Sequence, residues 1–211
     1  MLGKFITFEG IDGSGKSTQI KMLQKEFERN GIVYKSFREP GGTDLSEKIR
    51  KILLDKNNIK LTSPSECLLF AAARAQLTKE QIRPAINRGE FVICDRFVDS
   101  TIAYQGYGRG LDLKYLYKIN SFATDSLNPD ITFILDLDSK NARGRLSENV
   151  LDRMEVSGTD FFDRIRFGYK KIMEKNPERC IEINANRSKE DIFKDIKKII
   201  NKKIIKEIQC N

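Results

Sequence analysis

The chain contains no histidine and no tryptophan, and only four cysteines and five prolines among its 211 residues. Without an imidazole there is no His-based catalytic triad. Cys67, Cys94, Cys180 and Cys210 are far apart and form no CxxC pair, which argues against a structural zinc site. Scattered thiols in a sequence without a secretory signal point to reduced cysteines and a cytoplasmic location. No apolar run approaches the length of a membrane span, so no membrane partner is expected. Low-complexity tracts are missing as well. With hydrophobic residues at 39% and charged residues at 32%, the composition is that of a globular protein.

The length suits one α/β domain, residues 1–211, with a small insertion. A formal charge of +8 calls for an anionic partner of some kind. Much of the lysine excess lies between Lys189 and Lys206, interleaved with Ile192, Ile196, Ile199 and Ile200. That spacing is an amphipathic helix with a solvated face, and it is preferred over a nucleic-acid patch.

The most informative stretch runs Gly10, Ile11, Asp12, Gly13, Ser14, Gly15, Lys16, Ser17, Thr18, which fits GxxxxGK[ST] directly after the strand-like Phe5–Phe8. The glycines allow backbone N–H groups to turn inward around phosphate oxygens. A helix opening at Lys16 adds its positive end. Lys16 would reach the β and γ phosphates of a nucleotide, and the Ser17 hydroxyl would ligate Mg²⁺.

Strands are expected near residues 4–9, 33–37, 91–94, 131–135 and 180–183, alternating with helices near 16–30, 44–54, 65–87, 113–127, 160–175 and from 189. Five strands with intervening helices predict a parallel sheet covered on both faces. The helix over 65–87 is expected to break near Arg83-Pro84. Arg38-Glu39-Pro40-Gly41-Gly42-Thr43 reads equally as a plain loop or as a ligand loop at a strand's carboxyl edge. Asp95 could hold Mg²⁺ through water as a Walker B carboxylate, or cap the next helix. Phe70 and Arg74 share a helix face, where a Phe is usually core and an Arg usually surface. Ser100–Gly110 is too glycine-rich to end as a regular helix. Residues 139–159 read as a lid and its flanks, with a hinged polar segment at 147–152.

Phe8–Thr18, Arg38–Thr43, Asp95-Arg96-Phe97 with Ser100, Tyr104, Gln105 and Gly106, and Leu151-Asp152-Arg153 together resemble the thymidylate kinase family in order and spacing. The resemblance implies a P-loop nucleoside monophosphate kinase fold with a short lid, an ATP- and Mg²⁺-dependent conversion of dTMP to dTDP, and a homodimer. By the same resemblance Phe70 stacks on thymine, Arg74 faces its exocyclic oxygen and Gln105 contacts the base. Arg96 grips the acceptor phosphate with Arg38 and Arg50 nearby. Asp12 meets the 3′-hydroxyl, and Tyr104 crowds the sugar's 2′ position. Glu39, Pro40, Ser100 and Thr101 complete the acceptor pocket, Thr101 standing where some relatives place an amide. The P-loop has no arginine, which resembles the bacterial type, where a lid arginine approaches the transferring phosphate. Arg145 is the first candidate for that role and Arg153 the second, with Arg143 nearer the adenine; each could also be a surface arginine. No side-chain nucleophile is needed for phosphoryl transfer, so the missing histidine is no objection.

A GTP-dependent switch would need an NKxD motif, which the chain lacks, and its DxxG lies inside the P-loop. A nucleic-acid-dependent ATPase and a kinase for another monophosphate such as dUMP are the remaining alternatives.

Overall fold

The computed structural model describes residues 3–145, 153–154 and 158–202, and the backbone alone of Arg143. Five parallel strands, β1 (Phe5–Glu9), β2 (Tyr34–Arg38), β3 (Phe91–Asp95), β4 (Ile131–Asp136) and β5 (Cys180–Asn184), form one sheet in the order β2-β3-β1-β4-β5. Strand β1 is buried along its whole length, and its apolar run reflects helices on both faces. Alternation divides it. Ile6 and Phe8 enter one core cluster with Ile93 and Phe133, while Phe5 enters the other with Val92, Cys94 and Phe97. The chain goes from β1 outward to β2, returns to β3, and then crosses to β4 on the other side of β1. Ligands of open α/β sheets bind outside the carboxyl ends of the strands at such a reversal.

The helices are α1 (Lys16–Arg29), α2 (Asp44–Leu54), α3 (Ser63–Leu77), α4 (Arg83–Asn87), α5 (Val98–Thr101), α6 (Leu113–Thr124), α7 (Ser139–Gly144), α8 (Thr159–Lys175) and α9 (Lys189–Ile200). Ile20, Leu23 and Phe27 bury one face of α1, as their spacing requires. Thr43 caps α2 by accepting the Ser46 N–H at 3.1 Å, so the glycine-rich loop ends where that helix begins. Ile192, Ile196 and Ile200 are buried on α9, whose lysines form the solvated face expected of them.

Two elements differ from the sequence expectation. The long helix over 65–87 starts at Ser63, and it loosens into a wide π-helical turn at Thr78–Ile82, upstream of the expected break at Arg83-Pro84. Pro84 lacks an N–H and its ring displaces the carbonyl four residues back, so the ladder opens in the turn before it. Helix α6 stops at Thr124 and not near residue 127, because Asp125 and Ser126 take φ of 50° and 58°, left-handed values that end a helix. A second π-helical turn, Ile102–Gly108, continues α5 and packs on α8. Gly108 permits this approach, since a Cβ there would stand 2.7 Å from the Phe161 ring.

Of the segment 139–159 expected to form a lid, the helix α7 was not anticipated from sequence. The polar stretch 147–152, with Leu151 and Asp152 of the family motif, lies outside the described residues, as does Cys210.

Candidate active site

The carboxyl ends of β1, β3 and β2 open onto a cleft of about 750 Å³. One end of it is the P-loop. Gly13 and Gly15 have φ of 79° and 96°, turning the backbone into the nest that the glycine spacing requires. Gly13 lies so close to α7 that a Cβ would strike the Ala142 carbonyl. Lys16 is buried and its Nζ donates to the carbonyls of Gly10 at 3.1 Å and Ile11 at 3.0 Å. Burial, and then the neighbouring Arg96 charge, push its amine below the usual lysine range. Ser17 donates its hydroxyl to Asp95 Oδ2 at 3.1 Å, leaving its lone pairs free among the described residues. A hydroxyl oxygen beside a carboxylate at the mouth of a phosphate nest fits Mg²⁺, which Ser17 and Asp95 would hold. Asp95 ends β3 but does not cap the next helix, whose N-cap is Phe97 with no side-chain hydrogen bond.

Arg96 follows Asp95 with φ of 71°, a left-handed conformation that costs a non-glycine residue on the order of 1–3 kcal/mol. Its guanidinium is held from several sides. Nη1 donates to the Gly10 carbonyl at 3.0 Å and to Ser100 Oγ at 3.2 Å, while Nη2 donates to Asp12 Oδ1 at 2.6 Å and Tyr104 OH at 2.9 Å. Tyr104 OH in turn donates to Asp12 Oδ2 at 3.0 Å. Burial alone would raise the Asp12 carboxyl, but the Arg96 and Lys16 charges outweigh it and hold the group at about 2. Beneath this cluster Glu9 accepts from the Phe97 N–H at 2.7 Å, Ser100 Oγ at 2.6 Å and Tyr169 OH at 2.8 Å. Burial and the Asp99 charge raise its carboxyl.

The far wall belongs to α3 and the turn Ile102–Gly108. Phe70 is half-buried, packed on Ile49 and Leu53 while also lining the cleft. Arg74 is fully buried and not a surface group. Nε donates to Glu39 Oε2 at 2.7 Å, Nη1 to Thr101 Oγ1 at 2.6 Å and Asn120 Oδ1 at 2.7 Å, and Nη2 to the Phe97 carbonyl at 2.9 Å. Burial pushes the Glu39 carboxyl up to about 7 against the pull of Arg74, and Glu39 Oε1 is buried without a hydrogen bond. The Glu39-Pro40 bond is cis, and the Pro40 carbonyl accepts from Arg38 Nη1 at 3.1 Å and Arg50 Nη1 at 2.8 Å. Gln105 completes the wall.

Of the arginines proposed for transfer, Arg145 lines the cleft, with Nη2 donating to the Ala185 carbonyl at 3.3 Å. Arg153 is placed differently. It is buried outside the cleft lining, with Nε on the Leu53 carbonyl at 2.8 Å and Nη2 on Glu66 Oε2 at 2.7 Å. Its fork is taken up by a buried carboxylate and a helix-end carbonyl, so in this arrangement Arg153 bears on the packing of Glu66 and does not line the cleft. The Arg143 side chain lies outside the described residues. Gly10 and Ile11 contribute through their carbonyls, and the remaining loop residues to Thr18 line the cleft directly.

Sequence reasoning missed Gln19, Arg187, Lys189 and Ile192, which line the P-loop end of the cleft. The signal was available: Arg187 and Lys189 follow β5 at the same carboxyl edge as the other strands. Gln19 Nε2 fastens this loop by donating to the Lys189 carbonyl at 3.0 Å.

A P-loop facing arginines and an aromatic ring across one cleft, at the carboxyl edge of a five-stranded parallel sheet, is the architecture of a P-loop phosphotransferase of the nucleoside monophosphate kinase type. Comparison with known proteins narrows the class. The thymidylate kinase family model matches residues 8–196. Thymidylate kinase of Prosthecochloris aestuarii is 49% identical over 206 residues, covering 93% of this chain and 92% of that protein. That of Clostridium novyi is 43% identical over 198 residues, covering 92% and 97%. The crystal structure of thymidylate kinase from Ehrlichia chaffeensis superposes with a TM-score of 0.78 at 37% identity, covering 95% of this chain and all of that one. The chain belongs to the thymidylate kinase family.

Proposed function

We propose that the cleft holds ATP with its phosphates on the P-loop and dTMP against Phe70, Arg74 and Gln105, with Arg96 between the two. As a member of its family the chain is an enzyme that phosphorylates dTMP to dTDP with ATP and Mg²⁺. The observation that supports this arrangement best is Arg96, whose Nη1 touches the P-loop carbonyl of Gly10 while Nη2 reaches the acceptor wall at Tyr104. A planar fork suits phosphate oxygens, and a donor set fixed in advance stabilises charge without reorganising during transfer. Mg²⁺, when bound, would neutralise charge on the donor's β and γ oxygens. Asp12, held ionised, suits the role of accepting from the sugar 3′-hydroxyl. Tyr104, fixed by Asp12 and Arg96, stands where a 2′-hydroxyl would crowd it. Arg38 and Arg50 sit on the Pro40 carbonyl at the acceptor end, and Ser100 and Thr101 line the same wall. The transfer is in-line, with no covalent enzyme intermediate. A coupled ADP-release assay over a panel of nucleoside monophosphates tests the reading, and ATP turnover unmoved by dTMP would reject it.

Arg145 is the arginine we assign to the transferring phosphate, within residues 139–159 acting as the lid of a single kinase domain. Arg145→Ala should lower kcat on the order of 10³-fold with little change in melting temperature. Arg153→Gln should instead lower the melting temperature, because Glu66 loses its closest partner. Comparing kcat and thermal melts of the two variants checks this, and the opposite pattern would reverse the assignment.

For assembly we propose a homodimer through Leu68 on α3 and Tyr115 and Phe122 on the adjoining α6, all exposed. Sedimentation of the protein at one-chain mass would reject it. Among the described residues no helix is long and apolar enough to cross a membrane. We place the enzyme in the cytoplasm, which suits the free thiols Cys67, Cys94 and Cys180, and cell fractionation tests that placement.

A further inference from the structure

Glu66, Phe70 and Arg74 recur at every fourth position of α3 and therefore share one face of it. Opposite stand Thr101, Gln105 and Arg109, again at every fourth position. The rows meet rung by rung. Arg74 Nη1 donates to Thr101 Oγ1 at 2.6 Å at one end, and at the other Glu66 Oε1 accepts from Gln105 Nε2 at 2.8 Å. Phe70 lies between these rungs on its row.

Glu66 is 1% exposed and has no polar contact other than donors among the described residues. Besides Gln105 it accepts Arg109 Nη2 at 3.3 Å and Arg153 Nη2 at 2.7 Å, both on Oε2. A carboxylate bracketed by two guanidinium groups offers acceptors alone. The Gln105 amide can therefore meet it only through its NH₂ group. A glutamine amide has one donor end and one acceptor end, so committing Nε2 inward leaves Oε1 as the end available to the cleft that Gln105 lines. On the other rung, Arg74 spends four of its five N–H groups on Glu39, Thr101, Asn120 and the Phe97 carbonyl, leaving one on Nη2. The Thr101 hydroxyl can donate or accept and so does not discriminate.

We propose that Glu66 is a positioning residue for base selection, fixing the polarity of the Gln105 amide so that the pocket presents one acceptor from Gln105 and one donor from Arg74. That pair complements a pyrimidine with a protonated N3 and an oxygen at C4. It opposes cytosine, whose N3 accepts and whose C4 amino group donates. The inference rests on the proposed placement of the acceptor base against Gln105 and Arg74, and it adds a residue that need not touch that base.

The test is the ratio of kcat/KM for dTMP to that for dCMP, with dUMP as a control that shares thymine's N3 and C4 edge. In Glu66→Gln the residue at 66 can donate as well as accept, so the Gln105 amide is free to turn over. The dTMP to dCMP ratio should fall about tenfold or more, mainly through the KM values, while the dTMP to dUMP ratio stays where it was. Equal losses for all three acceptors would show a merely structural Glu66 and overturn the proposal. Gln105→Leu separates the two layers. If it leaves the dTMP to dCMP ratio unchanged, the placement of the base is wrong; if it lowers the ratio while Glu66→Gln does not, the placement stands and the role of Glu66 falls. Should Glu66→Gln fail to fold, the intact protein still decides. The Gln105 side-chain NH₂, assigned by its loss in Gln105→Leu, should exchange its protons far more slowly than exposed glutamines, and exchange at the exposed rate would overturn the proposal.

Discussion

Lys16→Met should lower kcat by roughly 10²–10³-fold or more while the melting temperature stays level or rises. The two outcomes separate because the attraction of this ammonium to Asp12 is offset by its own desolvation and its repulsion from Arg96. It is buried, with its amine pushed below the usual range by burial and then by Arg96. Both carbonyls it touches keep other donors, since Gly10 O accepts Arg96 Nη1 at 3.0 Å and Ile11 O accepts the Ser14 N–H at 3.2 Å. Replacing a desolvated charge by an isosteric apolar chain therefore leaves no orphaned acceptor and relieves like-charge repulsion. What vanishes is the point charge meant for the donor's outer phosphates. Single-turnover kinetics and a thermal melt read the two quantities separately, and a variant that melts well below the parent would contradict this account of Lys16.

Arg96→Met should be worse on both counts. It removes the fork we propose the two nucleotides share, so kcat/KM for dTMP should drop by about 10³-fold or more. It also leaves Asp12 with Tyr104 and Lys16 as its remaining partners in a partly exposed site. Discounted for that exposure, the stability cost should be about 1–3 kcal/mol. The cost has a pH signature. Asp12 lies at about 2 in the folded chain against an ordinary value of 3.8, so its contribution is complete above the ordinary value and is lost as the pH falls through about 2. The stability gap between parent and variant should accordingly narrow with acidification over that window. Adding Asp12→Asn should restore much of the stability and none of the activity. Denaturant titrations at several pH values measure the gap, and a gap that widened in acid would refute the ion pair as its source.

The strands, the P-loop and the order of the helices were legible in the sequence because each depends on local chemistry. Phe5–Phe8 is apolar throughout as a central parallel strand must be, and the glycines around Asp12 announce a turn before a helix. The two π-helical turns were less visible: Pro84 marks a break but opens the ladder in the turn before it, and Gly108 packs against Phe161 from a distant helix. Arginines were the hardest to sort. Arg74, Arg145 and Arg153 look alike in a sequence, yet one is buried among four acceptors, one lines the cleft and one is paired with a buried glutamate on another element. What distinguishes them is a partner contributed from far along the chain, and no local pattern encodes it. Glu66, which anchors Arg153, carries no motif of its own.

The four-residue recurrence on α3 has an evolutionary corollary. Because the acceptor wall is set by the rotational phase of one helix, deleting a single residue between Glu66 and Arg74 would swing one from the other by about 100°. No longer or shorter side chain could repair that. Lineages descending from this enzyme should therefore vary in length on the approach to Thr62 and stay gapless from Glu66 to Arg74, whatever their divergence elsewhere.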